Sequence, residues 1–142
     1  MNTSDRAERL FRGPCNCCQA VFGSAAPGLG LDEGAAIRLG TAFGGGMGRM
    51  GGVCGAVTGA FLVLGLKYGD PQPVNESKER IYGLVRRFVE EFGRLHGSIY
   101  CRDLLGCEIG TPEGMAEAKE KGLFDTICVK FVRNAVDIAG RL

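Results

Sequence analysis

The sequence predicts an all-α fold, a compact single-domain bundle spanning residues 1–142 with about five to seven helices around a central glycine-rich apolar helix. Three observations carry this expectation. Apolar residues recur at intervals of three and four in several segments, β-branched residues alternate with polar ones over no convincing run, and capping residues stand where the helical spacing begins. Hydrophobic residues make up 45% of the 142, enough to fill one core without crosslinks, and two domains would be crowded.

The first helix is expected from about Ser4 to Arg12, with Ala7, Leu10 and Phe11 inward, and the second from Asn16 to Phe22 with Asn16 as its N-cap. Asp32 caps a third that buries Ala36, Leu39 and Phe43. The near-continuous apolar segment from Val53 to Leu66 reads as a buried central helix. Gly69 to Pro73 is a linker, because Pro71 and Pro73 deny helix continuation. The clearest pattern is the stripe Ile81, Leu84, Val85, Phe88, Phe92 and Leu95, a long amphipathic helix after an Asn75 cap. Cys101 begins a short helix with Leu104 and Leu105, and Thr111 before Pro112 opens another. A final stripe of Phe124, Ile127, Cys128, Phe131, Ala135 and Ile138 turns Cys128 toward the core.

Composition excludes several function classes. A formal net charge of +1 gives no field of one sign to draw nucleic acid or an acidic membrane. The apolar run Val53–Leu66 is shorter than the roughly 20 residues that cross a bilayer, and the N-terminus lacks the plan of a secretory signal. A cytoplasmic protein without membrane insertion is expected. Gly46-Met47-Gly48-Arg49-Met50-Gly51 matches the dinucleotide fingerprint only formally, since no strand precedes it and no βαβ unit surrounds it. His96, the one histidine, is expected to cap or be solvated at a helix end, which leaves a serine triad unsupported. Arg49 is expected to be solvated or to pair with a carboxylate, with contact to an anionic group as the sharper alternative.

Cysteine carries the chemistry. There are seven, at positions 15, 17, 18, 54, 101, 107 and 128, an odd number in a chain large enough not to need a disulfide framework. Cys17, Cys54 and Cys101 each fall at an expected helix N-terminus, where the dipole and free N–H groups favour thiolate. Each also faces inward, so with Cys128 four thiols can converge. Cys15, Cys18 and Cys107 are accessory candidates. The bland alternative is that buried cysteines simply pack, leaving a non-catalytic helical scaffold.

Glycine is the compositional oddity, with 24 residues. Gly44, Gly45, Gly46 and Gly48 read as a tight loop that positions Cys54 and walls a binding site. Gly55 and Gly59, four apart, would let a second helix approach the central one closely.

At these residues the chain resembles the C_GCAxxG_C_C family of redox-active proteins. The resemblance is carried by Asn16-Cys17-Cys18-Gln19-Ala20-Val21, the run FGGGMGRMGGVCGAVTGAFLVLGL from Phe43 to Leu66, the segment CRDLLG from Cys101 to Gly106, and Cys128. By position it implies that Cys17, Cys54, Cys101 and Cys128 are the family's four characteristic cysteines. It implies an α-helical fold and a redox role, with no substrate firmly assigned. Cys18 stands where alanine is common, and Cys15 and Cys107 are additions. A related region lies beside haem domains in some cytochromes, but Cys-x-x-Cys-His is absent and no covalent haem is expected.

Two functional expectations result. One is thiol–disulfide exchange, an oxidoreductase-like activity with Cys17 and Cys54 as the reactive pair. The other is an electron-transfer or metal-binding module in which four thiolates hold an iron–sulfur cluster or another thiophilic metal. The redox partner is unassigned, and homodimerisation is a base-rate expectation.

Overall fold

Asn2 and Asn16 start the first two helices in the same way. Each side chain accepts a bond from the backbone three residues on, and Asp5 or Gln19 answers to the cap's own N–H, satisfying two otherwise orphaned donors per helix. The computed structural model describes all residues, Met1–Leu142. From these caps follow α1 (Thr3–Arg12) and α2 (Cys17–Ala25); Asp32 and Thr111 cap α3 (Glu33–Gly40) and α7 (Pro112–Glu120). The others are α4 (Gly55–Tyr68), α5 (Asn75–His96), α6 (Cys101–Leu105) and α8 (Val129–Arg141). Eight helices therefore form, one more than the expected upper count, and each of them, the five-residue α6 included, falls on a segment expected to be helical.

The expected central helix is α4. It is buried on all sides from Gly55 to Ala60 and packs against α2, α5 and α8. The expected close approach is observed: a Cβ added at Gly59 would lie 2.9 Å from Val21 Cβ and 3.0 Å from the Cys18 carbonyl oxygen. Helix α2 thus runs with its backbone almost against that of α4. Phe88 and Phe92 of α5 are fully buried and stack at 5.8 Å between ring centroids, which locks the long helix onto α4 and α8. Burial of two such rings contributes roughly 2–3 kcal/mol each. Arg133 of α8 bridges Asp5 and Glu8 of α1 at 3.0 and 2.9 Å, fixing the first helix over the last.

Four sequence expectations change. Asn75 is the first residue of α5 and not its cap; Val74, extended at ψ 148°, takes that position without a side-chain bond. Leu39 is 58% exposed, because the short α3 turns Ile37 and Gly40 toward α2 and leaves Leu39 on the far face. Leu95 is 53% exposed, since His96 takes the inward place at the end of α5. His96 is part-buried, not solvated: its ring lies 4.6 Å from Phe92 and 4.9 Å from Phe131, with Asn134 Nδ2 at 3.0 Å from Nε2. Burial lowers its pKa and keeps the imidazole neutral. No helix is long and apolar enough to cross a membrane.

The last stripe carries a fifth difference. Phe124–Cys128 form a π-helical turn before α8 begins, so Cys128 sits where a wide turn tightens into α-helix. Such turns are rare and frequent at functional sites.

Candidate thiol site

The loop between α3 and α4 is a left-handed turn. Gly45, Gly46, Met47, Gly48 and Arg49 have φ of 64°, 71°, 68°, 55° and 66° in succession. Two of the five are not glycine, and for such residues this hand costs about 1–2 kcal/mol each. The turn is closed by backbone bonds from Gly48 to Ala42, Arg49 to Gly44, and Gly52 to Gly46, all at 2.9 Å. Only glycine fits at position 46, where an added Cβ would stand 2.9 Å from Cys101 Cβ. Asn16 ties the loop to α2: its Nδ2 donates to the Thr41 carbonyl at 3.1 Å.

This loop delivers two cysteines together. Val53 and Tyr100 form an isolated antiparallel bridge, with Cys54 N–H donating to Ile99 O and Cys101 N–H to Gly52 O, both at 2.7 Å. Alternation along such a pair puts Cys54 and Cys101 on the same side, opposite Val53 and Tyr100. Arg102 clamps the join by donating from Nε to Gly51 O at 3.0 Å.

Cys17, at the start of α2, lies against the first turn of α4; a Cβ at Gly55 would be 3.1 Å from Cys17 Cβ. The neighbouring thiols of Cys128 and Cys54, together with burial, hold its pKa well above the ordinary value. Cys54 is the opposite case. The Cys17 thiol beside it, with the Ala56 and Val57 N–H groups at the start of α4, outweighs desolvation and lowers its pKa. Cys54 occupies the N-cap of α4, beside the free N–H groups of that helix's first turn.

The expectation of three activated N-terminal thiols is thus corrected to one. Cys17 is a proton donor, and Cys101 is pushed up to about 12 by burial and the neighbouring thiols Cys54, Cys128 and Cys107. Helix α6 is too short for its dipole to compensate.

Five thiols, those of Cys15, Cys17, Cys54, Cys101 and Cys128, line one cavity of about 600 Å³. Gly44, Gly45, Gly46, Gly48 and Gly55 line it as well, so the expected glycine wall and the four expected cysteines meet at one place. Cys18 does not: it is fully buried between α2 and α4, where burial pushes its pKa to about 11. Cys107 also lies outside the wall, half-buried in the loop after α6. All seven cysteines are free thiols. No group of three or more Cys, His, Asp or Glu side chains stands in an arrangement that holds a metal ion.

Sequence reasoning missed several lining residues, among them Phe11, Ile109, Met115 and Lys119. Met115 and Lys119 had a legible signal, being four apart on one face of α7. Arg49 lines the cavity, is exposed, and makes no ion pair or side-chain hydrogen bond, so of the two expected states it takes the solvated one.

An all-α fold that gathers free thiols on one cavity wall defines a cysteine-rich helical protein. Residues 15–142 match the family model described as "Putative redox-active protein (C_GCAxxG_C_C)", and the chain belongs to this family. No curated protein and no solved structure gave a significant match.

Proposed function

We propose that the protein carries out thiol–disulfide exchange, with Cys54 as nucleophile and Cys17 as resolving thiol. One observation carries the reading: Cys17 and Cys54 line one cavity wall, with Cys54 at the N-cap of α4 where free N–H groups favour the thiolate. In the first step the Cys54 thiolate attacks one sulfur of an acceptor disulfide R–S–S–R, forming a mixed disulfide and releasing R–S⁻. In the second, Cys17 loses its proton to the released thiolate and attacks Cys54 Sγ, expelling the second R–S⁻. Two protein thiols are oxidised to one disulfide, and the acceptor is reduced to two thiols. Cys101 and Cys128 border the same cavity and complete a four-sulfur site. Seven free cysteines suit a reducing cytoplasm.

The second reading, an iron–sulfur or other thiophilic-metal site, would need the four cavity thiols to draw closer, since no three of them stand in a metal-holding arrangement. The two readings part on anaerobic purification with iron analysis and visible absorption. Exchange chemistry predicts a colourless, iron-free protein that loses two or four titratable thiols on mild oxidation. A brown, iron-bearing sample with no thiol lost to a small disulfide would overturn it in favour of the cluster.

A further inference from the structure

The cavity wall carries charge of one sign. Arg49 and Lys119 line it, and no aspartate or glutamate does. Both cations are exposed and neither joins an ion pair or donates a side-chain hydrogen bond. The two carboxylates whose fields reach lining thiols, Glu33 toward Cys15 and Glu108 toward Cys101, stand outside the wall.

Arg49 is held there at a conformational cost, in the left-handed region at φ 66°, within a loop where glycine is the ordinary occupant. Inside the protein its side chain lies over Gly45 through Cγ, a neighbour that calls for no guanidinium. An observed outlier of this kind beside reactive groups points to a use for the side chain.

The backbone adds a third cationic feature. The Gly45 and Gly46 N–H groups donate to no acceptor in the protein, although Gly46 is buried. Buried N–H groups are rarely left unpaired, and successive ones in a left-handed turn form a concavity suited to an anion. Much of the remaining wall is apolar, with Phe11, Leu104, Ile109 and Phe124.

We infer that the acceptor is a small organic disulfide bearing a carboxylate or similar anionic group, seated with its charge at Arg49, Lys119 and the Gly45–Gly46 backbone and its sulfurs over Cys54. The inference deepens the exchange reading and rests on it. The two steps are those already written, with R carrying the negative charge through both; the electrons pass from Cys54 and Cys17 to the acceptor's sulfurs. A volume of about 600 Å³ admits one small molecule of this kind.

Three probe disulfides test it on the full reduced chain: dianionic 5,5′-dithiobis(2-nitrobenzoate), neutral 4,4′-dithiodipyridine and cationic cystamine. Each rate is divided by that of the same probe with a small reference thiol, which removes intrinsic reactivity. The normalised anionic-to-cationic ratio is expected to be about tenfold or more at low salt and to shrink as ionic strength rises. It should fall toward unity in the double variant Arg49→Gln, Lys119→Gln, whose two sites are exposed and whose fold is checked by circular dichroism. Equal normalised rates for all three probes would overturn the anionic class and leave exchange at Cys54 standing. No reaction with any probe would overturn both.

Discussion

Cys54→Ser is expected to lower the rate of exchange with a small disulfide on the order of a thousandfold, whereas Cys17→Ser is expected to stop the reaction halfway. Serine is a favoured residue at the N-cap position of α4 and close to cysteine in size, so the fold should survive while the nucleophile is lost. With Cys17 replaced, Cys54 still attacks, but no neighbouring thiol expels the second leaving group and a stable mixed disulfide accumulates. Intact mass spectrometry reads both outcomes. The pH dependence adds a signature. Alkylation of Cys54 should reach half its limiting rate below pH 9.0, the ordinary thiol value, because its thiolate is stabilised by the Cys17 S–H and the start of α4. Equal loss of exchange from both serine variants, with no trapped adduct, would remove the assigned order of attack.

Gly59→Val should destabilise the reduced protein by about 3 kcal/mol, the largest effect expected from a single glycine in α4. The added Cβ would meet Val21 Cβ at 2.9 Å and the Cys18 carbonyl oxygen at 3.0 Å. Neither yields easily, since one belongs to a β-branched side chain and the other to backbone. Gly65→Ala in the same helix is the control. Nothing lies within 4 Å of a Cβ there, so relief of glycine's poor helix propensity should raise stability by up to about 1 kcal/mol. Urea unfolding under reducing conditions measures both. The pair of opposite signs distinguishes close helix contact from a general intolerance of side chains. Displacing α2 would also carry Cys17 away from Cys54, so the valine variant should lose exchange out of proportion to its fraction unfolded.

Much of this architecture was legible because local chemistry and tertiary role coincide. Asn16, Asp32 and Thr111 are caps both by residue type and in space. Gly55 and Gly59 stand four apart because α2 passes there, and their spacing alone announced it. The four thiols could be selected because each lay at an expected helix start or on an inward stripe.

What escaped the sequence depends on tertiary placement. Nothing in the residues 43–52 distinguishes an ordinary glycine loop from a run of five left-handed residues, since Met47 and Arg49 adopt that hand against their own preference. The ionisation of Cys17 and Cys101 was misjudged for a related reason. Position at a helix start was visible, but the neighbouring sulfurs that decide which thiol keeps its proton come from α4 and the turn before α8. The π-helical turn at Phe124–Cys128 hides within a stripe that ordinary helical spacing also satisfies. Leu39 and Leu95 show the converse, apolar residues on the right period left exposed because no element packs beyond them.

The pairing of one activated sulfur with one protonated neighbour is tested most directly by locating the bond it should form. The reduced protein is oxidised with one equivalent of a small disulfide, remaining thiols are blocked, and the digest is mapped by mass spectrometry. The predicted product links the peptide containing Cys17 to the peptide containing Cys54. A linkage that leaves Cys54 as a free thiol, or no intramolecular linkage at all, would contradict it.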